Sequence, residues 1–506
     1  MKYTSLQQIK DLYCNSFYMP KDHDNIIDCV LAICLATKLP GDSIWLMLVG
    51  APSTGKTELV NILNKVPHVH GVSTLTENTF LSSMRNANGK ENSLLHRIGS
   101  KGMILMKDYT TVVSMRAEKK EQILAQMREI FDGALKKESG NGVSQEWKGK
   151  INWVGCVTDV IYSVGGESAA MGRRSMVYEL PPLTDDMRLD MGRAANKIRN
   201  NISNIREELQ DAVAEFIKYK VDNMPKELPS LSAEMEEDLL QISSFVTKVR
   251  TGVERDFRGT LQLVYESEGL TRFNSQITKT VETMLYISDK TTVDDDYKKF
   301  AFKIGIDSIP KQRRIALIIL SEYSAVTAKG VALKTGMPTE TIRMALEELA
   351  ALHIVERKPN PQGVGADHWN IKDRWRHMMV AYGGIKVGTS LEVLNVDDDD
   401  TDVDISPSMK KIMGLTDDED YNKEINASQA RESNKFMSDL QKVSKVEKLK
   451  AELSRKQYEL RNLDWSFFRA QSEVRSRDLT REIEEISTKL VELGELPVET
   501  VPLQSS

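Results

Sequence analysis

Apolar positions change their spacing several times along the chain, and each change marks an expected element. Residues 1–42 carry a helical spacing, in which Ile26, Ile27, Val30, Leu31 and Leu35 form a stripe that should pack on the downstream strand segment. Lys38-Leu39-Pro40-Gly41 ends that helical stretch. From residue 43 the pattern becomes an unbroken apolar run, Ile44-Trp45-Leu46-Met47-Leu48-Val49, with the length of a buried strand. A helical period returns over residues 58–66, and further apolar runs lie at 103–106, 151–157 and 176–180. Strands that are apolar throughout, alternating with helices, predict a mostly parallel sheet covered on both faces, here over residues 43–183.

Residues 184–290 read as helical, with stretches at 187–220, 232–249 and 275–287. A smaller unit is expected over 291–382. It would have helices at 313–323, 327–334 and 339–352, the last burying Ile342, Leu346 and Leu349 after the turn Thr335-Gly336-Met337-Pro338. The runs 354–358 and 367–371 around Pro359-Asn360-Pro361-Gln362-Gly363 complete a helix-turn-helix with a wing. Residues 383–440 are acidic and poor in large apolar side chains, the composition of a disordered linker. Over 441–495 the series Val446, Leu449, Leu453, Leu460, Leu463 predicts a coiled coil. It resumes out of step at Leu479, with a stutter or a hairpin turn at Arg475-Ser476-Arg477-Asp478. Residues 496–506 form a tail.

Composition narrows the class. With 506 residues, 40% hydrophobic and 28% charged, the chain has the make-up of a water-soluble protein of several units. Its opening residues lack the apolar core of a signal peptide, no apolar run has the length of a bilayer, and Cys14, Cys29, Cys34 and Cys156 form no CxxC pair. These features lead to the expectation of a cytoplasmic protein with reduced thiols and no membrane contact. The net charge of −6 argues at first against nucleic acid. Residues 392–420, however, hold eleven acids against two lysines, so the remainder carries about +3.

The strand at 44–49 runs directly into Gly50-Ala51-Pro52-Ser53-Thr54-Gly55-Lys56-Thr57, followed by helical spacing. That is the pattern of a phosphate-binding loop in its required context, and it predicts ATP with Mg²⁺ as ligands. Glycines at 50 and 55 let the backbone N–H groups approach phosphate oxygens, the following helix adds its positive end, Lys56 reaches the β- and γ-phosphates, and Thr57 ligates Mg²⁺. A partner acid is expected at the end of a neighbouring strand, where Met103-Ile104-Leu105-Met106 leads to Asp108. The residue after it is Tyr109 rather than a glutamate to polarise water, which leaves Glu77, Glu129 and Asp132 as candidates for the base.

With both motifs placed, the chain resembles the AAA+ ATPase superfamily over roughly residues 20–380, and within it the minichromosome-maintenance type of helicase. The resemblance implies a P-loop α/β core at 43–183 with a helical lid at 184–290. It makes Thr158 a sensor of the γ-phosphate, and it makes Arg173 and Arg174 an arginine finger that reaches a neighbouring subunit. It makes Arg272, in Gly269-Leu270-Thr271-Arg272, a second sensor. In the same proteins a pore hairpin precedes the first sensor, which here assigns Lys136 and Lys137, with Lys148 and Lys150, to a nucleic-acid backbone. In the winged unit, Arg343, Arg357 and Lys358 are the expected DNA contacts, although Glu340, Glu347 and Glu348 crowd the same helix. The layout looks like that of replication ATPases of phages and mobile elements.

Two functions are expected on this basis. One is a DNA-associated ATPase motor of replication, a helicase or helicase-like protein acting as a ring of copies, hexameric by analogy. The alternative is an ATP-driven loader or transcription-regulating switch, recruited to a protein partner through the coiled coil, with a toxin-like or defence ATPase as a weaker third.

Overall fold

The structure is a computed structural model that describes residues 2–82, 93–138, 144–162, 174–359, 366–383, 480–482, 485 and 488. The chain divides into two compact units, Met1–Leu415 and Thr416–Ser506. In the second unit the described residues, Thr480, Arg481, Glu482, Glu485 and Thr488, are all helical. The rest of the expected coiled coil lies outside the described residues, as does the expected acidic linker from residue 384 onward.

The first unit is a mixed α/β structure. It opens with helices α1 (Leu6–Ser16) and α2 (Asn25–Leu35), followed by β1 (Trp45–Val49), α3 (Lys56–Asn61), β2 (Val69–Val72), α4 (Leu94–Ile98), β3 (Lys101–Met106), α5 (Thr110–Val113) and α6 (Ala117–Phe131). A hairpin of β4 (Ala134–Glu138) and β5 (Ser144–Lys148) leads to β6 (Lys150–Val157) and β7 (Met176–Glu179). Five of these strands form a parallel sheet in the order β2-β3-β6-β1-β7.

Side chains alternate across this sheet, and both faces are covered. Trp45, Met47, Val49, Ile104, Met106, Trp153 and Val157 enter one core with α6, while Leu46, Leu48, Met103, Leu105, Val154 and Cys156 enter the other with α2. That double burial is why the strands read as unbroken apolar runs. The helix α2 is buried on every side from Ile26 to Leu35, so the N-terminal segment is part of the core beneath the sheet. Buried Asn152 ties it in: its Oδ1 accepts from Ile44 N–H at 2.9 Å and its Nδ2 donates to the Ile33 carbonyl at 2.7 Å.

Where the expected helix of residues 58–66 should run, α3 stops at Asn61 and the chain continues in tight turns, with Leu63 N–H donating to Val60 O at 3.2 Å and Val66 N–H to Leu63 O at 3.0 Å. Asn64 Nδ2 donates to Asn61 Oδ1 at 3.2 Å across this turn, and Pro67 disfavours helix at the residue before it.

Helices α7 (Asp185–Ile198), α8 (Ile202–Asp222) and α9 (Ala233–Val249) come next, then a hairpin of β8 (Val253–Arg255) and β9 (Leu261–Val264) inside the segment expected to be helical. The remainder comprises α10 (Thr271–Ile287), α11 (Asp295–Asp307), α12 (Lys311–Glu322), α13 (Ala328–Thr335), α14 (Thr339–Ala351), the antiparallel ribbon β10 (Val355–Lys358) and β11 (His368–Ile371), and α15 (Asp373–Gly383). The end of α11 closes the open edge of the sheet, since Val177 N–H donates to Ser308 Oγ at 2.9 Å and Glu179 N–H to Asp307 Oδ2 at 2.8 Å. Among the described residues, no helix is long and apolar enough to cross a membrane.

Candidate functional site

Parallel strands bring their carboxyl ends to one edge of the sheet, and three expected site segments meet there. Val49 pairs with Val157, so Gly50 follows at the level of Thr158; Met106 pairs with Gly155, which brings Asp108 to the same rim. Hydrogen bonds lock the level: Gly50 N–H donates to Val157 O at 3.2 Å and Tyr109 N–H to Cys156 O at 2.7 Å.

The loop itself is strongly bent. Ser53 has φ 63° and Gly55 φ 85°, both left-handed, and a side chain at Gly50 would press on Leu180 and Thr54 at 3.2 Å. No described residue accepts the main-chain N–H groups of Ser53, Thr54, Gly55, Lys56 or Thr57. Lys56 folds back over this turn, 7% exposed, and donates to Gly50 O at 2.6 Å and Ala51 O at 2.7 Å, with Thr54 Oγ1 at 3.3 Å. Burial lowers the pKa of its ammonium, and the nearby Cys156, Asp159 and Asp108 act against that. Ala51, Pro52, Ser53, Thr57 and Asp108 are exposed and Thr158 is half-buried. Asp108 Oδ1 accepts from Thr110 N–H at 3.0 Å.

Asp159, directly after Thr158, stands at this rim and ion-pairs with Lys311 at 3.6 Å. It is an acid absent from the expected site, although its signal, a carboxylate just past a strand end, is present in the sequence. Of the candidates for the base, Asp132 sits at the opposite edge, and the Glu77 carbonyl accepts from Gln126 at 3.0 Å and from Lys137 at 2.5 Å.

A cleft of about 480 Å³ opens between the end of α1 and α7, lined by Phe17, Tyr18, Met19, Asp190, Arg193 and Lys197. Just before this wall on α1 stands Tyr13, whose hydroxyl burial and then the charge of Glu58 drive up in pKa, and Glu58 of α3 ion-pairs with Arg206 of α8. No motif in the sequence points to it, because its walls come from segments far apart in the chain.

The arginines lie elsewhere. Arg174 precedes β7 and ion-pairs with Asp132 at 2.6 Å; Arg272, at the start of α10, is 3.9 Å from Glu268, and both guanidiniums stand 5.8 Å from the Phe131 ring. They flank a cleft of about 610 Å³ lined by Ser43, Phe131, Lys150, Glu268 and Arg272 at the amino-terminal edge of the sheet, a strand's length from the loop. Arg272 therefore does not join the loop of its own chain. Arg173 lies outside the described residues.

The expected nucleic-acid contacts are largely engaged within the chain. Lys137 donates to Glu77 O, to Asn78 Oδ1 at 2.7 Å and to Leu81 O at 3.2 Å, and Lys136 pairs with Glu138 at 2.8 Å. Lys148 pairs with Glu146 at 2.6 Å, and buried Lys150 donates to Ala36 O at 2.9 Å and Leu39 O at 3.1 Å, its pKa pushed down to about 7 by burial. Arg343 pairs with Glu340 and Glu347, Arg357 with Asp367, and Lys358 is exposed on β10. The tip between β4 and β5, residues 139–143, lies outside the described residues.

Among the described residues no three His, Cys, Asp or Glu side chains gather as a metal site. Thr57 and Asp108 at one rim fit instead a magnesium ion that takes most of its ligands from phosphate and water. No protein-family model matches the chain, and no curated protein matches it.

Proposed function

We propose that the chain is a Mg²⁺-dependent ATPase of the AAA+ kind that works on DNA as a ring of copies, a helicase or helicase-like motor. One observation carries the reading: a left-handed turn whose successive N–H groups no described residue accepts, with a buried Lys56 ammonium, level with Asp108 and Thr158. Such a turn wants a multivalent anion, and Lys56 would exchange the Gly50 and Ala51 carbonyls for phosphate oxygens. Thr57 and Asp108 would hold Mg²⁺, which when bound neutralises charge on the phosphates. Thr158 or Asp159 would orient the attacking water, and the aromatic cleft at Phe17 and Tyr18 would take the base.

Arg174 and Arg272 support the ring. Both sit at the edge away from the loop, where a guanidinium serves a neighbouring copy's phosphate rather than its own. The helices α12–α14 with the β10–β11 ribbon support a winged-helix unit, and the β4–β5 hairpin ahead of β6 supports the pore element.

A second reading, an ATP-driven loader or regulatory switch, is favoured by two features. Tyr109 is buried where a catalytic glutamate would stand, and Lys137, Arg343 and Arg357 are tied to partners within the chain. Turnover measured with and without single-stranded DNA, beside strand displacement on a fork, separates the two. The motor predicts DNA-stimulated turnover and separated strands; turnover indifferent to DNA contradicts it. Arg174→Ala should keep nucleotide binding and lose turnover by about a hundredfold, and should depress the native protein when mixed with it.

A further inference from the structure

The exposed large aromatic side chains among the described residues, Phe257 and Tyr265, both belong to the β8–β9 hairpin, and Leu263 joins them. Phe257 is 91% exposed at the tip. An aromatic ring so placed normally folds back onto the surface, because leaving it in water forgoes its burial. Here it stays exposed at the tip of a hydrogen-bonded turn. Asp256 Oδ1 accepts from Arg258 N–H at 2.9 Å and Thr260 N–H at 2.8 Å, Asp256 N–H donates to Thr260 O at 2.9 Å, and Gly259 takes φ 79°.

The hairpin is also fixed to the body of the protein. Arg255, nearly buried, donates to Glu348 at 3.1 Å, Glu347 at 3.1 Å and the Met344 carbonyl at 2.7 Å, all on α14, and to Gly259 O at 2.7 Å within the turn. The ring is thus presented on a rigid mount. Arg258 lies over it at 5.2 Å and, among the described residues, makes no ion pair. Between the tip and the β10–β11 ribbon is a cleft of about 390 Å³, lined by Arg258, Leu261, Arg343, Glu347, Arg357 and Trp369, in which Arg343 is paired with Glu347 and Arg357 with Asp367. Arg258 beside a projecting ring matches a polymer of phosphates and flat bases.

We infer that the β8–β9 hairpin is a contact for single-stranded nucleic acid: an unpaired base stacks on Phe257 while Arg258 meets the neighbouring phosphate. A single strand is the partner because its base faces are open, and stacking on a fixed ring with an arginine beside it needs no base sequence. The choice of nucleic acid rests in part on the DNA-associated reading above, so nucleotide affinity is measured on the same preparations.

The test is fluorescence anisotropy of a labelled oligothymidylate with the full chain. Phe257→Ala should weaken binding about tenfold and Arg258→Ala should reduce both affinity and its salt dependence. Phe257→Trp should bind like the native chain, with additional tryptophan quenching when the strand is added. Magnesium-nucleotide affinity should be the same in all four proteins. Equal strand affinity in the native and Phe257→Ala chains overturns the inference. So does a native chain that binds nucleotide but no oligothymidylate, which would leave the hairpin to a protein partner. Strand binding lost with Phe257 in a chain that binds no nucleotide upholds the hairpin and removes the ATPase reading alone.

Discussion

Asp28 is 2% exposed, accepts from Tyr297 Oη at 2.9 Å and lies 3.3 Å from Lys10. Burial outweighs these partners and raises its carboxyl to about 6 from the ordinary 3.8. A group that binds its proton more tightly folded than unfolded contributes stability that is fully present below 3.8 and is lost as pH rises through about 6. Asp28→Asn removes this dependence. Relative to the native protein, the variant should gain about 2–3 kcal/mol between pH 4 and pH 7, read from urea unfolding at each pH. Parallel curves would show that Asp28 stays ionised in the fold. At this scale residue types are legible in the sequence and their partners are not. Lys56, Thr57 and Asp108 stand out because a motif fixes their spacing and strand ends fix their level. Lys137 and Arg357 read as free cations only because Asn78 and Asp367 are brought to them by folding, whereas the Glu340 and Glu347 partners of Arg343 stand one helical turn away in the sequence itself.

Between the sheet and the C-terminal helices runs a network of charge. Arg314 of α12 pairs with Glu179 of β7 and, at 3.1 Å, with Asp307 of α11; Lys311 is 3.6 Å from both Glu179 and Asp159. Burial works against the Glu179 carboxylate, yet Arg314 and Lys311 hold it down to about 2. Its stabilisation is therefore present above the ordinary carboxylate value and lost as pH falls through about 2. Arg314→Met should cost about 3–5 kcal/mol at neutral pH, because two acids are left without their guanidinium, and adding Glu179→Gln should restore part of it. An equal loss in single and double variants would mean that Arg314 acts by packing. Elements buried on both faces are the most legible: β1, β3 and β6 show as apolar runs. The β8–β9 hairpin is hidden in a segment of helical spacing, since its strands are short and half-exposed, and the turn residues Asp256 and Gly259 are its one signal.

Across the molecule, the two edges of the parallel sheet carry different chemistry. The carboxyl-end rim holds the loop, Asp108, Thr158 and Asp159; the opposite rim holds Arg174 and Arg272 beside Phe131. That separation, the loop at one edge and the guanidiniums at the other, is the physical basis for the ring proposed above. The covered two-faced sheet is legible from apolar runs alone, while the division of labour between its edges requires the strand order, which periodicity does not encode. Both functional readings depend on the Gly50–Thr57 loop binding a magnesium nucleoside triphosphate. Calorimetric titration of Mg-ATP into the native chain and into Lys56→Ala examines that binding without any further assumption. The native chain should bind saturably, and removing the ammonium should weaken binding by about a hundredfold, near 3 kcal/mol. No binding by the native chain, or equal affinity in the two proteins, would refute the loop as a nucleotide site.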